Sequence, residues 1–189
     1  MTKIYTKTGD NGTTGLPDGT RVSKDSPRIK TYGSLDELNA LIGVVCSCTL
    51  PEAVRKILNL VQDDLFTISA MLAPRERAGD KGRGISGITH ANVQVLENEI
   101  DTCETQIPPL SQFILPGGST AGSLLHLARA VARRAERSCV ALAQSENVTP
   151  QVLCYMNRLS DLLFVLARFV NHQNSLRETH PAFAKRERL

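Results

Sequence analysis

Tryptophan is missing from this chain, and Phe, Tyr and Trp together make up only 4% of it. Proteins that stack nucleic-acid bases need aromatic platforms, so a base-stacking function has little to build on. Long apolar runs are missing too. The longest, around 41–50 and 162–170, fall well short of the ~20 residues that span a bilayer. The opening residues carry no apolar signal region, which points away from secretion. No C-x-x-C pair occurs among Cys46, Cys48, Cys103, Cys139 and Cys154, so free thiols in a reducing cytoplasm are expected. Cys46 and Cys48 read as buried helical residues rather than as a metal pair. The net charge of +3 is too small to argue by itself for DNA or an anionic membrane. Neither a nucleic-acid nor a membrane partner is expected.

The remainder has the balance of an ordinary globular protein, 41% hydrophobic and 22% charged over 189 residues, enough for one substantial core. A single domain, 1–189, is expected, with an irregular N-terminal segment 1–33, a helical bundle 34–174 and a C-terminal tail 175–189 whose closing KRERL is solvated. Gly9, Gly12, Gly15, Pro17, Gly19, Pro27 and Gly33 punctuate the first segment and leave no room for a long helix. Helical spacing then begins. Ser34 with Glu37 reads as a capping box before Leu35, Leu38, Leu41, Ile42 and Val45. Pro51 suits the first turn of a second helix running to Leu72. The Gly- and charge-rich stretch 74–88 reads as a loop, and Thr89 caps a third helix through Cys103. An apolar stub and tight turn, 113–118, lead to a fourth helix capped by Ser119 or Thr120 and ending near Gln144. A fifth runs from Pro150 to Asn174. Five helices with short connections predict an all-α bundle.

The chemistry concentrates in three places. In the fourth helix, at about 100° per residue, Leu124, Leu127, Ala128, Val131, Ala135, Cys139 and Leu142 share one face. His126, Arg129, Arg133, Glu136 and Arg137 share the other. Every cation on that stripe is arginine, whose planar fork suits phosphate or carboxylate, and neighbouring arginines repel one another unless an anion or partner meets them. A solvated helix face is the competing reading. The second place is the stretch from Thr6 through Lys7, Thr8 and Gly9 to Thr13 and Thr14. Its glycines let backbone N–H groups turn to a phosphate, its threonines add hydroxyls and its lysine a charge. It is not a Walker A loop. Arg21, Lys24 and Arg28 extend the basic character. The third is the fifth helix, where Asn157, Asp161 and Arg168 form a polar stripe; an Arg158–Asp161 surface pair explains part of it equally well. Asp36 and Glu37 are accounted for by the positive N-terminus of the first helix. From the residues alone, the expectation is a triphosphate held by a bundle, with its charge shared by Mg²⁺.

Six segments, in order, carry a resemblance. They are 3–14 (KIYTKTGDNGTT), 21–24 (RVSK), 32–39 with 42–43 (YGSLDELN, IG), 113–118 (FILPGG), 125–129 with 133–137 (LHLAR, RRAER) and 157–161 (NRLSD). Together they resemble the PduO-type ATP:cob(I)alamin adenosyltransferases. Met156 replaces a common leucine, a tolerated exchange. The resemblance implies a homotrimer of five-helix bundles with active sites between subunits. ATP would lie under the N-terminal loop of one subunit, against Thr6, Lys7, Thr8, Gly9, Thr13, Thr14 and Lys24. The neighbour would supply Arg133, Arg134, Glu136, Arg137 and Asn157. Asp36 would pair with Arg129 across the interface. Phe113 would sit beneath the corrin ring in place of cobalt's lower ligand. The implied catalytic set is therefore Asp36, Phe113, Arg129 and Arg133, with ATP and cob(I)alamin as substrates, Mg²⁺ as cofactor and an electron-donor reductase as partner. The competing readings are a non-catalytic nucleotide-responsive module and a nucleic-acid binder using the arginine helix.

Overall fold

The computed structural model describes residues 3–73 and 86–182. Its elements are β1 (Thr13–Gly15), β2 (Arg21–Ser23), α1 (Pro27–Cys46), α2 (Glu52–Met71), α3 (His90–Glu104), α4 (Thr120–Ala143) and α5 (Pro150–Gln173). The five-helix expectation holds, with two differences near the N-terminus. First, β1 and β2 form an antiparallel hairpin in which Thr14 faces Val22, so the segment is not wholly irregular. Leu16-Pro17-Asp18-Gly19 turns it: Gly19 takes φ +84, and Asp18 accepts from the Thr20 N–H at 2.9 Å and hydroxyl at 2.7 Å. Those bonds hold the Asp18 carboxyl below its ordinary value.

Second, α1 starts at Pro27 behind Ser26, well before the Ser34 capping signal. Proline at the first helical position has the right φ and wastes no N–H. Ser34 instead lies mid-helix, bonded back to the Lys30 carbonyl at 3.0 Å, with its Oγ 3.3 Å from that of Ser138 on α4. Buried Thr31 bonds the Pro27 carbonyl at 2.9 Å and reaches that of Ser138 at 3.1 Å. These small hydroxyl residues mark where α1 and α4 meet.

The other helices follow their patterns. Pro51 precedes α2, Thr89 caps α3 with Asn92 closing back on it, and the Ser119 hydroxyl accepts from the Gly122 N–H at 3.0 Å at the head of α4. Helix α5 is buried nearly all round and is therefore the central element. It packs on α4 and α3, while α1 packs on α4 and α2. Asn92 closes the ring from α3 to α2 by donating to buried Asp64 at 3.1 Å. The interior is chiefly Leu, Ile, Val and Ala, with Tyr155 its largest fully buried side chain.

Arg28 belongs to this scaffold. It binds the Leu72 carbonyl at the end of α2 and pairs with Glu146 in the α4–α5 turn, which removes it from the basic run available to a ligand. Cys46 and Cys48 are half-buried at the end of α1, and all five cysteines are free. Most of the 74–88 loop, and KRERL, lie outside the described residues.

Candidate active site

The hairpin gives the N-terminal loop its shape. Arg21 on β2 donates to the Thr8 carbonyl at 2.5 Å and to the Thr13 hydroxyl at 2.6 Å, pulling the loop back over the strands. The Lys24 N–H bonds the Gly12 carbonyl at 2.9 Å. Gly9 runs so close to Lys24 that a Cβ there would stand 3.2 Å from the ammonium nitrogen and 3.1 Å from the Thr13 carbonyl. A side chain there would crowd the Thr13 carbonyl, so the close approach favours glycine. Thr8, Gly9, Thr13 and Lys24 are thereby gathered on one exposed loop. The Thr6 and Thr8 hydroxyls are 2.9 Å apart, and Lys7 takes φ 59, a left-handed conformation unusual for lysine. The sequence shows Arg21 only as positive charge; its place on β2, facing Gly15 and bonded to Thr13, makes it a brace.

The α4 arginines do not all face one way. Arg133 and Arg137 are exposed and, among the described residues, have no ion-pair partner. Arg129 is half-buried, and its Nε is enclosed without a hydrogen bond. Arg134 lies off the stripe and pairs with Glu37 of α1. Glu136 accepts from the Asn157 amide at 3.0 Å, which joins the α4 stripe to α5. Arg158 pairs with Asp161 at 2.8 Å, as the surface-pair reading expected, and also with Glu97 of α3 at 3.0 Å.

Three expectations fail here. His126 is buried against Phe164, not on the solvated arginine face. Burial and then the Arg129 charge lower its pKa below the usual value, which favours the neutral ring. Leu127, expected in the core, is half exposed. Arg168, expected on a polar stripe with Asn157, is only 3% exposed. It binds the Pro108 carbonyl at 2.7 Å and Glu178 at 2.6 Å and stacks on Phe164. The reason is common to these polar residues: the 107–118 connection and the segment after α5 cover the end of the bundle, and helical periodicity does not register such covers.

That same end carries Phe113, 78% exposed on the connection. Its anchor was not foreseen. Asn171, buried at the end of α5, accepts from the Ser119 N–H at 2.9 Å and donates to the Gly117 carbonyl at 2.8 Å. It thereby ties the Pro-Gly-Gly turn, with Gly118 at φ +105, to the head of α4. A lone Asn late in an apolar helix was the available signal.

In one chain, residues 3–25 make no hydrogen bond or ion pair to α4 or α5 among the described residues. The chain therefore presents three separate pieces: a cationic hydroxyl-rich loop, an arginine stripe with open forks, and an exposed aromatic beside a rigid turn. The first two suit a polyphosphate, and the third suits the flat face of a large apolar ligand.

Residues 4–170 match the family model described as cobalamin adenosyltransferase. The chain is 45% identical over 179 residues to a corrinoid adenosyltransferase of Bacillus subtilis, covering 92% of this chain and 89% of that one. It is 47% identical over 171 residues to the corrinoid adenosyltransferase PduO of Citrobacter freundii, covering 89% of this chain and 50% of that protein. It thus spans about half the length of the PduO proteins it matches. A solved variant of a PduO-type ATP:corrinoid adenosyltransferase from Lactobacillus reuteri, complexed with cobalamin and ATP, superposes with a TM-score of 0.88. That structure is 34% identical, and the match covers 97% of this chain and 98% of that one. Another variant of that enzyme, complexed with ATP, gives a TM-score of 0.85 at 33% identity, covering 94% of this chain and 99% of that one.

Proposed function

This chain belongs to the cobalamin adenosyltransferase family, and from that premise we propose that it transfers the 5′-deoxyadenosyl group of ATP to the cobalt of cob(I)alamin or a related corrinoid. The observation that carries the reading is the family match along 4–170, which takes in the loop, the exposed Phe113 and the open arginine stripe together. In the reaction Co(I) gives an electron pair to the ribose C5′, and the C5′–O5′ bond breaks with its pair going to the leaving tripolyphosphate. Adenosylcobalamin remains, with cobalt formally Co(III). No phosphorus is attacked and no proton must be removed, so no general base is needed. The protein's work is to align cobalt with C5′ and to stabilise charge on the departing triphosphate.

Thr6, Lys7, Thr8, Gly9, Thr13, Thr14 and Lys24 form the loop side of the ATP site in this reading. Arg133, Glu136, Arg137 and Asn157 form the helix side; Arg134 joins them only by exchanging Glu37 for phosphate. Because loop and stripe do not bond within one chain, the proposal is a homotrimer in which the loop of one subunit closes on the stripe of the next. Asp36, exposed on α1, then pairs with Arg129 of the partner subunit and satisfies the guanidinium whose Nε has no partner in the single chain. Phe113 lies against the lower face of the corrinoid. An apolar ring there leaves Co(II) four-coordinate and easier to reduce before it reacts. The electron comes from a reductase partner, and the setting is the cytoplasm. For Mg²⁺, the described residues hold no cluster of three His, Cys, Asp or Glu side chains fit to cage a cation. The ion therefore enters as the counter-ion ATP carries, and no step is assigned to it.

Anaerobic incubation with ATP and chemically reduced cobalamin tests the reaction. The expected products are the spectrum of a Co–C bond and free tripolyphosphate in equal amounts. ATP binding without either product would leave only the non-catalytic nucleotide-responsive module.

A further inference from the structure

Phe113 sits on a connection with no helix or strand of its own, yet its proposed task needs the ring at a fixed height. Fixing loop residues costs backbone entropy, so some other part of the chain must hold it. The segment after α5 does so at successive points. The Leu115 N–H donates to the Thr179 carbonyl at 2.7 Å. The Phe113 carbonyl lies 2.9 Å from His180 Nδ1; a carbonyl can only accept, so that ring nitrogen carries the proton. Just before them Glu178 pairs with Arg168, whose side chain is almost fully buried. Arg168 also holds the Pro108 carbonyl, so one guanidinium grips both the start of the connection and the segment that crosses it.

We infer that residues 176–180 are a positioning strap for Phe113, with His180 the positioning residue at its tip and Arg168–Glu178 the anchor. The strap lies beyond residue 170, where the family match ends. His180 bonds the backbone carbonyl of Phe113, so its influence on the reaction passes through the height and tilt of the ring. The inference rests on Phe113 facing the corrinoid, and its test separates the two.

His180→Ala is compared with His180→Asn, whose side-chain N–H can take the place of Nδ1–H. Leu115 amide exchange reads the strap without reference to any ligand. In His180→Ala it should quicken about tenfold, the loss of roughly one hydrogen bond. Adenosylation from Co(II) with a mild reductant should fall about tenfold, reaction from preformed Co(I) less than about twofold, and the KM for ATP should stay put. His180→Asn should restore exchange and rate together. Unchanged Leu115 exchange, equal losses from Co(II) and Co(I), or no rescue by asparagine would each overturn the strap. Phe113→Ala is run alongside. A Co(II)-specific loss there without one in His180→Ala sinks the strap alone, whereas no Co(II)-specific loss in Phe113→Ala sinks the Phe113 reading and the strap's purpose with it.

Discussion

At the level of single side chains, the α4 arginines divide by what they touch. Arg134 is spoken for by Glu37, while Arg133 and Arg137 point open forks outward. A lysine at 133 keeps the charge, but its single ammonium nitrogen lacks the planar fork of two parallel N–H groups that a guanidinium presents. Charge-assisted hydrogen bonds contribute about 1.5–3 kcal/mol, so Arg133→Lys should lower kcat/KM for ATP by roughly ten- to hundredfold. Arg134→Lys, disturbing an exposed pair of the kind that contributes ~0–1 kcal/mol, should change it only a few fold. Steady-state kinetics in ATP decide this, and equal effects at 133 and 134 would mean that the stripe has no open forks. This distinction was half visible in the sequence. The run of arginines, without lysine, pointed to an anion; which arginine pairs inward depended on the α1–α4 contact, and no spacing along α4 reports that.

Helix ends and crossings carry a different kind of constraint. Gly122, on the first turn of α4, lies against Asn171 so closely that a Cβ would stand 2.1 Å from its Oδ1. Asn171 cannot swing aside cheaply, because it is buried and serves Ser119 and Gly117 at once. Gly122→Ala should therefore leave buried polar groups unpaired, at a cost of about 2 kcal/mol. For a chain of this size that lowers the melting temperature by roughly 4–8 °C, while exposed Ser123→Ala should do little. Where α2, α3 and α5 meet, Asp64 lies beside Tyr155 and accepts from Asn92. Burial raises its pKa, against the opposing pull of Tyr155 and Asn92. A raised carboxyl pKa means the folded state binds the proton more tightly. Its contribution is then complete below the unfolded value of about 4 and is lost as pH rises through the folded pKa. Asp64→Asn stays neutral and still accepts from Asn92. Its melting temperature should match wild type at low pH and exceed it near neutrality; a pH-independent difference would show that Asp64 does not titrate with folding. Element boundaries were legible where a proline or cap acted locally, as at Pro51, Thr89 and Ser119. The start of α1 was not, since Ser34 and Glu37 imitate a capping box inside a helix already begun by Ser26-Pro27. Strands of three residues are likewise too short for alternation to reveal.

At the scale of the whole molecule, the two halves of the proposed nucleotide site do not bond to each other among the described residues of one chain, yet they must act together. The order of motifs along the sequence was readable, and so was the bundle that carries them; their separation was not, because spacing along a chain does not say which copy a residue faces. If the loop of one subunit serves the stripe of the next, two defective chains can complement. A chain with Lys24→Ala and Gly9→Val has a ruined loop and an intact stripe, and Arg133→Ala has the reverse. Each should be nearly inactive alone. Co-expressed in equal amounts and mixed at random in a closed ring, about one site in four pairs an intact loop with an intact stripe. Activity should thus recover to about a quarter of wild type over the whole mixture, or about one site in three of each mixed trimer, and sedimentation should give a single species of trimer mass. Sites built within one subunit would recover nothing on mixing, since every chain carries one broken half. That outcome would also leave the buried Arg129 Nε without the Asp36 carboxylate proposed for it.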